Sequence, residues 1–159
     1  MKHLPKHLRP RWRYVAIGIE SNPDASFSRG SFQRALWYAA GNLLGDAGSA
    51  DADLKLLTFE FADGDGEAIV RARHGHVEQA RAAIASVSTV DEEPVGIHVR
   101  GISGTVRACE ERYMGRASRD HSKRNAVFAG SEYPVVERDD AVDVLTDSGV
   151  VGATQHDLE

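Results

Sequence analysis

Apolar residues recur along the chain with two periods, about two and about 3.6, and the switches between them predict the elements. Tyr14-Val15-Ala16-Ile17-Gly18-Ile19 reads as a strand, and Pro23-Asp24-Ala25 as the turn after it. Ser28 is placed to cap a helix, with Phe27 before it and Phe32 beyond it as a hydrophobic staple. The helix is expected from Arg29 to Leu44, burying Phe32, Leu36, Ala39, Ala40, Leu43 and Leu44, with Gly45 at its end. Trp37 and Tyr38 flank that face and are read as packing residues. A small polar linker, Asp46 to Asp53, leads to a second strand over Leu54 to Phe61, with Leu57, Phe59 and Phe61 on one face. Asp63-Gly64-Asp65-Gly66 closes a hairpin into a third strand, Glu67 to Arg73. That strand sets Ala68, Val70 and Ala72 against Ile69, Arg71 and Arg73, so one face ends in two arginines.

Val77, Ala80, Ala83, Ile84 and Val87 predict a second helix that ends near Ser88-Thr89. Pro94 to Val99 reads as a strand with Val95, Ile97 and Val99 inward. It runs into Gly101-Ile102-Ser103-Gly104-Thr105, a glycine-rich turn, and then into a third helix striped by Val106, Cys109 and Tyr113. The order β-α-β-β-α-β is the ferredoxin-like arrangement, so the predicted fold class is α+β, a ferredoxin-like (RRM-like) sandwich with an added C-terminal helix. The expected domain plan is a basic arm over 1–13, the ferredoxin-like domain with its third helix over 14–128, and an acidic tail over 129–159. Within that tail, Asp139 to Leu145 suggests a short amphipathic helix before a weakly structured end.

A length of 159 residues supports one domain with a real core. No run approaches the roughly 18 apolar residues of a membrane span, and the basic start is not followed by the apolar stretch of a secretory signal. A cytoplasmic protein is expected. Cys109 is the single cysteine, which excludes an internal disulfide, and its place on an apolar stripe favours a buried structural thiol.

Charge is segregated. Residues 1–14 hold five Lys/Arg and no acid, and residues 100–124 hold seven against three acids, while 15–99 and 125–159 are acidic. An acidic body with two basic segments repels anions over most of its surface and accepts them in chosen places, which makes nucleic acid the leading partner class. Only four of the nineteen basic residues are lysine and acids outnumber bases, a composition that points to a salt-adapted proteome. Near 1 M salt the Debye length shrinks to about 3 Å, so directed hydrogen bonds must carry more of any RNA affinity.

The chemistry a catalyst needs is not prominent. The seven histidines are scattered, no nucleophile has a base at a telling distance, and phosphate-loop and dinucleotide fingerprints are missing, so no catalytic residue is predicted. His74 and His76 lack further ligands, and Asp63, Asp65 and Glu67 read as a turn and not as a calcium loop, so no metal site is predicted. The turn at 101–105 has two readings. Unpaired N–H groups at the start of the next helix suit an anion, yet Ser103 or Thr105 can equally cap that helix while Gly101 and Gly104 serve the turn. A single-strand RNA reader of this fold displays aromatics on its first and third strands, and here the third has none. RNA would therefore be met by the arm, the loops and the third helix, through shape and phosphate contact.

The run Gly101-Ile102-Ser103-Gly104-Thr105-Val106-Arg107-Ala108-Cys109, behind a β-α-β-β-α-β pattern and the start Leu8-Arg9-Pro10-Arg11-Trp12-Arg13-Tyr14, resembles the family of archaeal ribonuclease P protein component 2. That family is related to a small protein subunit shared by eukaryotic ribonucleases P and MRP, and the resemblance covers about residues 1 to 128. It implies a subunit of the ribonucleoprotein endonuclease that removes 5′ leaders from precursor tRNA. Hydrolysis would then belong to the RNA with Mg²⁺, and no cofactor is expected on the protein. The implied partners are the ribonuclease P RNA, another protein subunit of the complex and, through the holoenzyme, precursor tRNA; no membrane is implied, and self-association is left open. Candidate RNA contacts are Arg9, Arg11, Arg13, Arg100, Arg107, Arg112 and Arg116, with Gly101, Ser103, Gly104 and Thr105 as the motif turn. The rival reading is a ferredoxin-like regulatory or protein-docking module without RNA.

Overall fold

Trp12–Ser21 forms the central strand (β1) of a five-stranded antiparallel sheet, because its alternate residues Val15, Ile17 and Ile19 are wholly apolar and fully buried. The structure, a computed structural model, describes residues 3–115, 122–138 and 141–158. It divides into two compact units, Met1–Ala117 and Ser118–Glu159. The first contains β1, helix α1 (Arg29–Ala52), β2 (Lys55–Ala62), β3 (Asp65–Arg73), helix α2 (Val77–Ala85), the two-residue β4 (Thr89–Val90), β5 (Glu93–Ser103) and helix α3 (Val106–Tyr113). The sheet order is β2-β3-β1-β5-β4, the ferredoxin-like α+β arrangement with one short extra edge strand.

Helices α1 and α2 cover one face. Ser28 caps α1 by accepting a hydrogen bond from the Ser31 N–H at 3.1 Å. Phe27 and Phe32 then stack with centroids 6.4 Å apart, as the staple predicts, and Phe59 and Phe61 join them. Gly45 takes φ +73°, so regular helix does stop there. The chain resumes helical geometry beyond it, and the expected linker 46–53 is helical as far as Ala52. The expected common face of Leu57, Phe59 and Phe61 is also split. A bulge between Leu56 and Thr58 sends Leu57 to the opposite side of the sheet while Phe59 and Phe61 stay under α1. Tyr38 is 74% exposed and Trp37 52%, against the expected packing role, and Leu43, expected on the buried face, is exposed as well; the Trp37 indole N–H donates to the Leu54 carbonyl at 2.8 Å.

Helix α3 lies on the other face of the sheet, where Cys109, Ala16 and Ile69 form a second small core with Tyr14, Leu57, Val106 and Tyr113 around it.

The second unit overturns the expected short helix and weakly structured end. It is a four-stranded antiparallel meander, β6 (Ser122–Phe128), β7 (Ser131–Arg138), β8 (Ala141–Thr146) and β9 (Gly149–Ala153). Val142 and Val144 alternate with polar residues at period two and are buried with Val135 and Ala126, which a helix would not allow. The contact boundary therefore falls at Ala117/Ser118, and 122–128 belong with the C-terminal strands and not with the ferredoxin-like domain.

Candidate nucleic-acid interface

The motif turn builds a joint. Thr105 caps α3, its hydroxyl accepting from the Ala108 N–H at 3.1 Å, as the capping reading of this turn expects. Ser103 is buried beneath the start of α3, and its hydroxyl has no partner among the described residues. A Cβ built on Gly101 would fall inside the Tyr113 ring, so glycine here admits the last turn of α3 onto the sheet. Gly104 has open space around it. Cys109 Sγ is fully buried and lies 3.7 Å from the Tyr14 carbonyl. Burial, with a smaller contribution from Glu110, pushes its thiol pKa up, as a structural cysteine requires.

One buried ion pair locks this joint. Arg100 Nη1 donates to Glu67 Oε2 at 2.5 Å, with the two side chains 13% and 4% exposed. The same guanidinium nitrogen donates to the Tyr113 carbonyl at 3.2 Å, and the Gly115 N–H donates to Glu67 Oε1 at 2.9 Å. Glu67 on β3 and Arg100 on β5 thereby hold the C-terminal end of α3 across β1. Arg100, singled out as a candidate RNA contact, is engaged inside the domain. Glu67 was legible only as a turn acid, since its partner lies 33 residues away and nothing local announces the pair.

The remaining candidates are spread apart. Arg107 is 88% exposed and bonded to Glu111 at 2.9 Å, one helical turn on. Arg112 is exposed in the last turn of α3. Arg9 donates from Nε to the Leu4 carbonyl at 2.8 Å, beside a 3-10 turn at Lys6–Leu8. Arg11 is exposed and its carbonyl accepts from the His74 N–H, and Arg13 is half-buried in β1. Arg116 lies outside the described residues. Among the described residues no group of three or more His, Cys, Asp and Glu is arranged to hold a metal ion.

Sequence pattern alone did not bring together a further group. The β1–β3 register sets Trp12 opposite Arg73 and Tyr14 opposite Arg71, and the β2–β3 register sets Lys55 opposite Arg71. All lie on the α3 side of the sheet, at its arm end. The Arg71 guanidinium carbon is 3.8 Å from the Trp12 ring centroid, and that of Arg73 is 5.8 Å away. The two arginines at the end of this strand were legible; their indole partner was not.

Comparison with known proteins agrees with this architecture. The model of the Rpp14/Pop5 family matches residues 13–114, which span β1 to the end of α3. The chain is 69% identical over 159 residues, the whole of both chains, to "Ribonuclease P protein component 2" of Halorubrum lacusprofundi. It is 57% identical over 158 residues to the protein of that name from Natronomonas pharaonis, covering 99% of this chain and 98% of that one. With the protein of that name from Methanosarcina mazei the identity is 33% over 114 residues, 72% of this chain and 93% of that one.

Proposed function

The chain belongs to the Rpp14/Pop5 family, and from that premise we propose that it is a non-catalytic protein subunit of archaeal ribonuclease P, supporting the RNA in removing 5′ leaders from precursor tRNA. The observation that carries this reading is the match of the whole ferredoxin-like unit, signature turn included, together with end-to-end similarity to ribonuclease P components of halophilic archaea. The geometry supports it. Helix α3 occupies the sheet face on which an RRM-type reader stacks bases, which leaves shape and phosphate contact as the mode of RNA binding. The rival reading, a docking module without RNA, is not favoured.

Partners and metal follow as further parts of the proposal. Ribonuclease P RNA would meet the arm end of the sheet and the exposed side of α3, where Arg11 and Arg112 stand. A second protein subunit has the exposed Trp37, Tyr38 and Leu43 of α1 to pack against. We place Mg²⁺ with the RNA, as the ribonucleoprotein reading implies, and assign it no step on this chain. No helix of the described residues is long and apolar enough to cross a membrane, and we place the subunit in the cytoplasm with the complex.

Reconstitution tests the reading. Adding this chain and its partner subunit to the ribonuclease P RNA should raise precursor-tRNA cleavage at low Mg²⁺. Cleavage that stays at the level of RNA with the partner subunit alone would refute it.

A further inference from the structure

The sheet face shared with α3 has three zones. Its middle is filled by α3, and its far end is acidic, with Glu20 paired in register with Asp65. The arm end is cationic, with Arg71, Arg73 and Lys55 in adjacent cross-strand positions around Trp12, whereas Arg100 nearer the middle is neutralised by Glu67. Among the described residues of this face, an anion meets its densest group of cations there.

Arg71 is the unusual member. Its side chain makes no hydrogen bond or ion pair among the described residues, its Nε, like that of Arg73, is buried without an acceptor, and its guanidinium carbon lies 3.8 Å from the Trp12 ring centroid. Burying part of a cation without a counter-charge is unfavourable, so a merely structural role would call for an acidic neighbour. The nearby acid, Asp53, goes instead to Arg73, at 3.5 Å and with both side chains over 40% exposed, a weak pair that an incoming anion can displace. A cation–π contact restrains the guanidinium without consuming a conventional acceptor, so its N–H donors stay available to an incoming anion.

We propose that Trp12, Arg71, Arg73 and Lys55 form a binding site for the phosphodiester backbone of RNA, in which Arg71 contacts a phosphate and Trp12 is a positioning residue for its guanidinium. The proposal rests on the RNA-subunit reading and names the site through which that reading operates. A pre-oriented planar donor retains directed hydrogen bonds at salt concentrations that screen a flexible ammonium. Such a device suits a chain whose basic residues are fifteen arginines and four lysines.

The test is titration of the full chain with a ribonuclease P RNA transcript over a series of salt concentrations. Arg71→Lys keeps the charge but neither the plane nor the fork, and should weaken binding by about tenfold with an unchanged salt slope. Arg71→Ala should in addition reduce the slope by about one. Trp12→Ala should weaken binding although it removes no charge, and Trp12→Phe should recover part of the loss. In a Trp37→Phe background Trp12 is the sole tryptophan, and RNA should change its emission. Wild-type affinity in both Arg71→Lys and Trp12→Ala overturns the site. So does weakened binding with a silent Trp12, because the loss then reflects folding. Failure of the wild-type chain to bind the RNA overturns the subunit reading itself, which separates the two failures.

Discussion

Single side chains decide whether α3 stays on the sheet. Glu67 satisfies Arg100 and the Gly115 N–H together, so Glu67→Ala leaves a buried guanidinium without its carboxylate and should cost about 3–5 kcal/mol. Chemical denaturation of the variant measures this directly. Cys109 gives a pH signature of the same packing. Its folded thiol holds its proton to higher pH than the unfolded thiol, so the unfolded chain releases that proton first. Stability is therefore unaffected at neutral pH and falls as pH rises past the ordinary thiol value of about 8.5. Melting temperatures followed from neutral to alkaline pH should show this decline, and Cys109→Ala should lessen it. At this scale the sequence was half legible: the Thr105 cap and the buried cysteine follow from local spacing. The Glu67–Arg100 and Trp12–Arg71 pairs depend on strand register, which no local pattern encodes.

Periodicity was the stronger guide at the level of elements. The staple around Ser28, the two-residue Asp63-Gly64 turn, with φ of 55° and 78°, and the stripe of α3 all express short-range rules, and each is present. Where expectation failed, a local irregularity or a two-way pattern was responsible. The bulge in β2 shifts Leu57 by one position and thus to the other face, and a second helical stretch follows the break at Gly45 where a linker was expected. Asp139 to Leu145 carries both helical and alternating signals, and pairing of β8 with β7 and β9 selects the strand. A prediction belongs to α3, a helix of eight residues that is short for independent stability. Thr105→Ala removes its N-terminal cap and should destabilise the first unit by about 1 kcal/mol, with hydrogen exchange at Ala108 and Cys109 rising before that of β1.

Over the whole molecule the comparisons and the contact map divide the chain at nearly the same place. The Rpp14/Pop5 match ends at residue 114 and the first unit at Ala117, while the relatives from Halorubrum and Natronomonas are similar through the C-terminal meander as well. Residues 118–159 hold nine acids against four Lys/Arg, so this meander repels polyanions. A chain ending at residue 117 should bind unrelated RNA more tightly than the full chain at low salt, with the difference vanishing near molar salt; filter binding with a random-sequence RNA measures it. Helix α3, seated on the strands by Gly101 and the Glu67–Arg100 pair, has a consequence for how this protein and an RNA change together. A sheet that uses its own helix as cover has no open strand surface on which to spell out bases there, and phosphate contacts carry no letters. Base substitutions that preserve the path of the RNA backbone are invisible to such a partner, so the nucleotide sequence can drift while the protein side of the contact stands still.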